Sequence, residues 1–140
     1  MNQTVQDVMT PNPCSVSPTA SILEAAQIMR GNDIGDVVVL EGERLFGVLT
    51  DRDIVVRALA KGADPETTLV GTICSRDLTV IDPKASVGQA VMLMREKAIR
   101  RLPVVDEDGF VMGIVSIGDV AVGRDRLSAL GDISAAPPNV

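Results

Sequence analysis

Histidine is absent from this chain, as are tryptophan and tyrosine, and only two phenylalanines and two cysteines occur in 140 residues. Without histidine the commonest general base is missing, so neither a Ser–His nor a Cys–His nucleophile can be assembled. Cys14 and Cys74 stand far apart with no Cys-x-x-Cys spacing, so no zinc-ligand pattern exists. Each reads as a small, half-buried apolar residue, with a disulfide or redox switch as the alternative. With aromatics at 1% and hydrophobic residues at 46%, the core must come from Val, Ile, Leu, Ala and Met. No apolar run approaches the roughly 20 residues that span a bilayer. Met1–Thr10 lacks the basic-then-apolar order of a signal peptide, which points to the cytoplasm. The Gly-x-x-x-x-Gly-Lys-Ser/Thr loop of NTPases is also missing. A net charge of −6 and a pI near 4.5 disfavour nucleic acid as a partner. Together these absences argue against an enzyme.

What the chain does contain is an internal repeat. Val5-Gln6-Asp7-Val8-Met9-Thr10 aligns with Val70-Gly71-Thr72-Ile73-Cys74-Ser75 at a spacing of 65 positions. The same spacing joins Pro18, Ala20 and Ser21 to Pro83, Ala85 and Ser86, then Ala25 to Ala90, Met29-Arg30 to Met94-Arg95, and Val39 to Val104. One inserted residue in the Asp106–Gly109 turn moves the spacing to 66, and Gly47-Val48-Leu49-Thr50 then meets Gly113-Ile114-Val115-Ser116, with Asp53 on Asp119. The repeats are residues 1–66 and 67–128, followed by a loose tail at 129–140 containing Ala135-Ala136-Pro137-Pro138.

Each repeat predicts an α/β (α+β) pattern of strand, helix, strand, strand, helix. Ser21 with Glu24, and Ser86 with Gln89, have capping-box spacing. Apolar positions at helical spacing follow, and Gly31-Asn32 suits a helix end. Val37–Leu40 and Leu102–Val105 are β-branched runs, turned by Glu41-Gly42-Glu43 and Asp106–Gly109 into Leu45–Leu49 and Phe110–Val115. A helix then begins at Asp51 or Gly118. One small sheet per repeat cannot cover both its faces with its own helices. The expected solution is sheet packed to sheet with pseudo-twofold symmetry.

The chemistry concentrates where a strand feeds a helix: Thr50-Asp51-Arg52-Asp53 and Ser116-Ile117-Gly118-Asp119. A helix start offers free N–H groups for phosphate, a hydroxyl can donate to a phosphate oxygen, and a carboxylate can accept from both ribose hydroxyls. The same hydroxyl-x-x-carboxylate spacing also makes a simple helix cap.

Gly47-Val48-Leu49-Thr50-Asp51-Arg52-Asp53 and its copy from Gly113 to Asp119 resemble the CBS signature Gly-h-h-Ser/Thr-x-x-Asp, where h is apolar. Val16–Ser21 and Ile81–Ser86 resemble its Val-x-Pro-x-Ala-Ser start, and Ile99-Arg100-Arg101-Leu102-Pro103-Val104 its apolar-Arg-Arg-Leu-Pro-Val strand. The resemblance covers residues 3–125 and extends to stand-alone two-CBS proteins of actinobacteria, of the hypoxic-response kind. It implies a tandem CBS pair, or Bateman module, regulatory in function. Its ligands would be adenine nucleotides (AMP, ADP or ATP), with S-adenosylmethionine or NAD behind them, and no cofactor would be required. It further implies two clefts, each combining the hydroxyl and Asp of one motif with opening strands of the other. Cleft A would join Thr50 and Asp53 with Leu78, Thr79, Arg100 and Arg101. Cleft B would join Ser116 and Asp119 with Pro13, Cys14, Gly35 and Asp36. Two arginines suit phosphate and a carboxylate repels it, so cleft A is expected to be the stronger site. A homodimer and a separate effector protein are the expected partners. The alternative is a ligand-free module for dimerisation and protein interaction.

Overall fold

A computed structural model describes residues 3–76 and 78–120. The tail expected at 129–140 and most of the helix expected from Gly118 lie outside the described residues. The chain divides into two compact units, one contiguous (Pro13–Leu78) and one split (Met1–Asn12 with Thr79–Val140). These units are not the sequence repeats. The leader of each repeat folds with the body of the other.

In the contiguous unit, β2 (Ser15–Val16) runs parallel to β3 (Asp36–Glu41), and β3 pairs antiparallel with β4 (Arg44–Thr50). In the split unit, β1 (Thr10–Pro11) pairs with β6 (Val111–Ser116), which pairs with β5 (Arg101–Val105), all antiparallel. Each sheet thus has three strands. The opening strand of the second repeat shrinks to one parallel bridge, Ile81 to Val104, the equivalent of Val16 beside Val39.

The leaders explain the exchange. Helix α1 (Val5–Val8) buries Val5 completely, and Val5 N donates to Ala85 O at 2.8 Å. Its counterpart α4 (Val70–Ile73) buries Val70 completely, and Val70 N donates to Ala20 O at 2.8 Å. Gln6 N to Pro83 O and Gly71 N to Pro18 O repeat the match. The Pro-x-Ala turn before each long helix is therefore the dock for a leader 65 positions out of phase.

The long helices are α2 (Ile22–Asn32) and α5 (Val87–Lys97). Ser86 and Gln89 form the full reciprocal capping box, whereas at Ser21 only the first half forms, with its hydroxyl accepting from Glu24 N. The helix ends where Gly31-Asn32 suggested, with Asn32 its last residue, and Asp33 takes the left-handed position after it with φ 53°. Ala98 does the same at φ 55° after α5. Helix ends accept this conformation in an ordinary residue when the closing hydrogen bonds are made, and Asp33 N donates to Arg30 O while Ile34 N donates to Met29 O. Each unit has its own aliphatic core, built around Ile22, Val37, Val39, Leu49 and Val70 in one and Val5, Leu102, Val104 and Val115 in the other.

Candidate functional site

Both copies of the hydroxyl-x-x-carboxylate motif fold identically. At the end of β4 the Thr50 hydroxyl accepts from Asp53 N at 3.1 Å, and Asp53 Oδ2 accepts from Thr50 N at 2.9 Å. At the end of β6 the Ser116 hydroxyl accepts from Asp119 N at 3.1 Å, and Asp119 Oδ2 accepts from Ser116 N at 2.9 Å. All four side chains are half-buried. The cap and the ligand role are compatible, because the cap consumes only acceptor capacity of the hydroxyl and one oxygen of the carboxylate. The hydroxyl proton and the Oδ1 atom stay free of the cap. The motif is thus a rigidly oriented donor–acceptor pair at a strand-to-helix junction.

The glycine that opens each motif is a packing requirement. A Cβ on Gly47 would lie 2.6 Å from Ser75 O and 2.8 Å from Cys74 Sγ. A Cβ on Gly113 would lie 2.6 Å from both Thr10 O and Met9 Sδ. The exchanged leaders cross these glycines at backbone contact distance.

In the contiguous unit, Thr50 pairs with Asp36 across the β3–β4 ladder, and Asp51 N donates to Gly35 O at 2.9 Å. The Asp51 carboxylate lies over Gly35, 3.1 Å from where a Cβ would stand. Cys14 O accepts from Val38 N at 3.0 Å, so Pro13 and Cys14 enter the sheet at the same end of β3. Helix α3 (Asp51–Asp53) continues as a π turn over Ile54–Ala58 and a 3₁₀ turn over Leu59–Lys61. Arg57 on that turn sits 3.9 Å from Asp53 Oδ1. In the split unit, Arg101 pairs with Ser116, Arg100 O accepts from Ile117 N at 2.8 Å, and Ile81 ties the strand after Thr79 to Pro103. Each unit therefore gathers half of each expected cleft: Pro13, Cys14, Gly35 and Asp36 beside Thr50 and Asp53, and Thr79, Arg100 and Arg101 beside Ser116 and Asp119. Leu78 is half-buried at the end of the contiguous unit. Asp51 and Arg57 did not stand out from sequence as site residues, although Asp53 and Arg57 have the four-residue helical spacing of an ion pair.

Two cavities lie apart from these residues. One of about 500 Å³ opens at the other end of β3, between Ser15–Thr19 and Leu40–Gly42. Another of about 320 Å³ lies along α5, between Ile81, Ala85, Gln89, Met92, Leu93 and Glu96. Among the described residues no cluster of three or more His, Cys, Asp or Glu side chains could hold a metal ion, and no helix is long and apolar enough to cross a membrane. Arg76 stacks 3.5 Å from the Phe46 ring centroid and clamps the chain after α4 onto β4.

Both cysteines are free thiols, Cys14 half-buried and Cys74 buried. Burial pushes the Cys74 thiol above its ordinary pKa, opposed by the nearby Arg76 charge. The folded state thus holds this proton at pH values where the unfolded chain releases it. The stabilisation is complete below the unfolded thiol's pKa and is lost as pH rises past it toward the raised folded value. At pH 8, iodoacetamide is expected to label Cys14 well before Cys74. Peptide mass mapping of the alkylated protein checks this, and equal rates would contradict it.

The CBS-domain family model matches residues 5–59 and 70–122. This chain belongs to the CBS-domain family. It is 42% identical over 120 residues to the CBS domain-containing protein YhcV of Bacillus subtilis, covering 86% of this chain and 84% of that one. It is 38% identical over 119 residues to hypoxic response protein 1 of Mycobacterium tuberculosis, covering 84% and 82%. Among solved structures, Hypoxic Response Protein I with two coordinated zinc ions superposes with a TM-score of 0.76 at 37% identity, covering 85% of this chain and 97% of that one. The CBS domain pair of MJ0100 with 5′-methylthioadenosine and S-adenosylmethionine gives 0.81 at 25% identity, over 91% and 100%. CBSX2 in complex with AMP gives 0.77 at 28% identity, over 89% and 97%. The match to homoserine O-acetyltransferase of Methanocorpusculum labreanum covers only 22% of that enzyme. CBS pairs are thus modules found alone or attached to enzymes, and some bind adenosyl compounds.

Proposed function

We propose that this chain is a cytoplasmic regulatory module that binds an adenine nucleotide (AMP, ADP or ATP) and signals through a partner protein or through self-association, without catalysis of its own. The observation that carries this reading is the reciprocal cap at both motif copies, which uses one carboxylate oxygen and only the acceptor capacity of the hydroxyl at each helix start. The hydroxyl proton and the second carboxylate oxygen that the cap does not use are the groups that phosphate and a ribose diol require. The adenosyl ligands of MJ0100 and CBSX2 support the ligand class. Val55, Val56 and Leu59, exposed at 55%, 47% and 50% on the turns after Asp53, support self-association with a second copy of the chain.

Two assignments of the arginines follow. Combination across repeats gives Thr50 and Asp53 with Leu78, Thr79, Arg100 and Arg101 as the stronger cleft, and Ser116 and Asp119 with Pro13, Cys14, Gly35 and Asp36 as the weaker. The β5–β6 register favours a second assignment, because Arg101 faces Ser116 within one sheet. AMP titration of the Arg100→Gln/Arg101→Gln chain is expected to show an affinity loss of about 10-fold or more. Combining that change with Asp53→Asn or Asp119→Asn decides the assignment. The cross-repeat cleft requires coupling to Asp53 and additivity with Asp119, and the reverse pattern assigns the arginines to Ser116 and Asp119. Unchanged AMP affinity in the double arginine variant would remove both residues from the site.

A further inference from the structure

The cap of Thr50 uses one oxygen of Asp53. The other, Oδ1, faces the Arg57 guanidinium at 3.9 Å. That separation is an ion pair without a hydrogen bond, and Arg57 is 49% exposed against 17% for Asp53. The cation is therefore held loosely and can leave at little cost. It sits on a π turn, Ile54–Ala58, inserted directly after the motif, and π turns within helices concentrate at functional sites. The surroundings are acidic: Asp36 pairs with Thr50 across the ladder, and Asp51 begins the same helix as Asp53. In the second copy of the motif, the fourth residue past Asp119 is Gly123, so the sequence places no cation at that position.

We propose that Arg57 makes the Thr50–Asp53 site select phosphorylated adenosyl ligands over neutral ones. The inference rests on the adenosyl-ligand reading of that site. A ribose diol must donate to Oδ1, the oxygen that Arg57 attends, and its arrival displaces the guanidinium. A neutral nucleoside gives the displaced cation nothing in return. A nucleotide carries phosphate on the same ribose, and the long arginine side chain moves from carboxylate to phosphate with its charge still paired. The swap penalises neutral ligands and is offset for anionic ones. Neither step makes or breaks a covalent bond.

The experiment compares AMP and adenosine binding by calorimetric titration to the full chain, to Arg57→Met and to Arg57→Lys. Methionine keeps the apolar stem and removes the charge. The expected result is an AMP-over-adenosine preference that falls about 10-fold in Arg57→Met and survives within about 2-fold in Arg57→Lys, where the charge remains. A purely structural role for Arg57 would shift both affinities together. If the full chain binds both ligands and the preference is unchanged in Arg57→Met, the selector role is overturned and the adenosyl reading stands. If the full chain binds neither, the adenosyl reading falls and this inference falls with it.

Discussion

Gly113→Ala is expected to lower the melting temperature by about 10 °C, corresponding to about 3 kcal/mol in a domain of this size. The added methyl carbon would lie 2.6 Å from Thr10 O and from Met9 Sδ. The methionine tip can move, but the carbonyl cannot, because Thr10 is fixed in the β1–β6 ladder opposite Ile114. Relief requires lifting the leader from the sheet, which would also loosen α1, where Val5 is fully buried. Gly47→Ala is expected to cost as much. Ser75 O there accepts from Val48 N at 3.1 Å while Ser75 N donates to Val48 O at 2.9 Å, so the backbone at the 2.6 Å contact is pinned from both sides. Gly31→Ala provides the control: no atom lies within 4 Å of its Cβ position, and the site is helical, so alanine should be neutral to mildly stabilising. Thermal melts followed by circular dichroism measure all three. A loss below about 1 kcal/mol at Gly113 would show that the leader is not seated as described.

Asp53→Asn is expected to weaken AMP binding about 100-fold while changing stability by less than about 1 kcal/mol. The two effects separate because the carboxylate has two tasks. Its Oδ2 accepts from Thr50 N at 2.9 Å, and the amide oxygen of asparagine can make the same bond, so the cap persists. The other position then carries an NH₂ group. It presents donors where a ribose diol needs an acceptor, and it removes the charge that strengthens both hydrogen bonds. Asp53→Ala would lose the cap as well and confound the two effects. Asp119→Asn tests the second copy in the same way, since Asp119 Oδ2 and Ser116 N repeat the geometry at 2.9 Å. Equal loss of stability and affinity in Asp53→Asn would mean that the motif is a cap alone.

Local signals in the chain were readable wherever they depended on neighbours in sequence. The β-branched Val37–Leu40 and Leu102–Val105 runs became β3 and β5, and Ser86 with Gln89 became a capping box. The repeat itself was visible because Pro18, Ala20 and Ser21 recur as Pro83, Ala85 and Ser86. Long-range pairing was not readable. Nothing near Val5 or Val70 says that each leader docks on the other repeat's Pro-x-Ala turn, since that choice depends on contacts some 80 or 50 positions away. Gly31-Asn32 marked the end of α2, but the left-handed residue that closes it, Asp33, is fixed by the hydrogen bonds of Asp33 and Ile34 to α2 and carries no glycine to announce it. The signature glycines were evident as a pattern, but their cause, a carbonyl of a distant segment, emerges only in three dimensions. Arg57 escaped notice because its partner looked like a ligand group rather than half of an ion pair.

The most direct test of the central claim is the melting temperature of the purified chain against millimolar AMP, ADP, ATP, NAD, S-adenosylmethionine and adenosine. A ligand that binds only the folded state at about 100 times its Kd adds about 2.7 kcal/mol. The account predicts a rise of several degrees with at least one of AMP, ADP and ATP, reduced in Asp53→Asn. No rise with any compound in the panel would contradict it, and the exposed Val55, Val56 and Leu59 face would then identify the chain as an association module without a ligand.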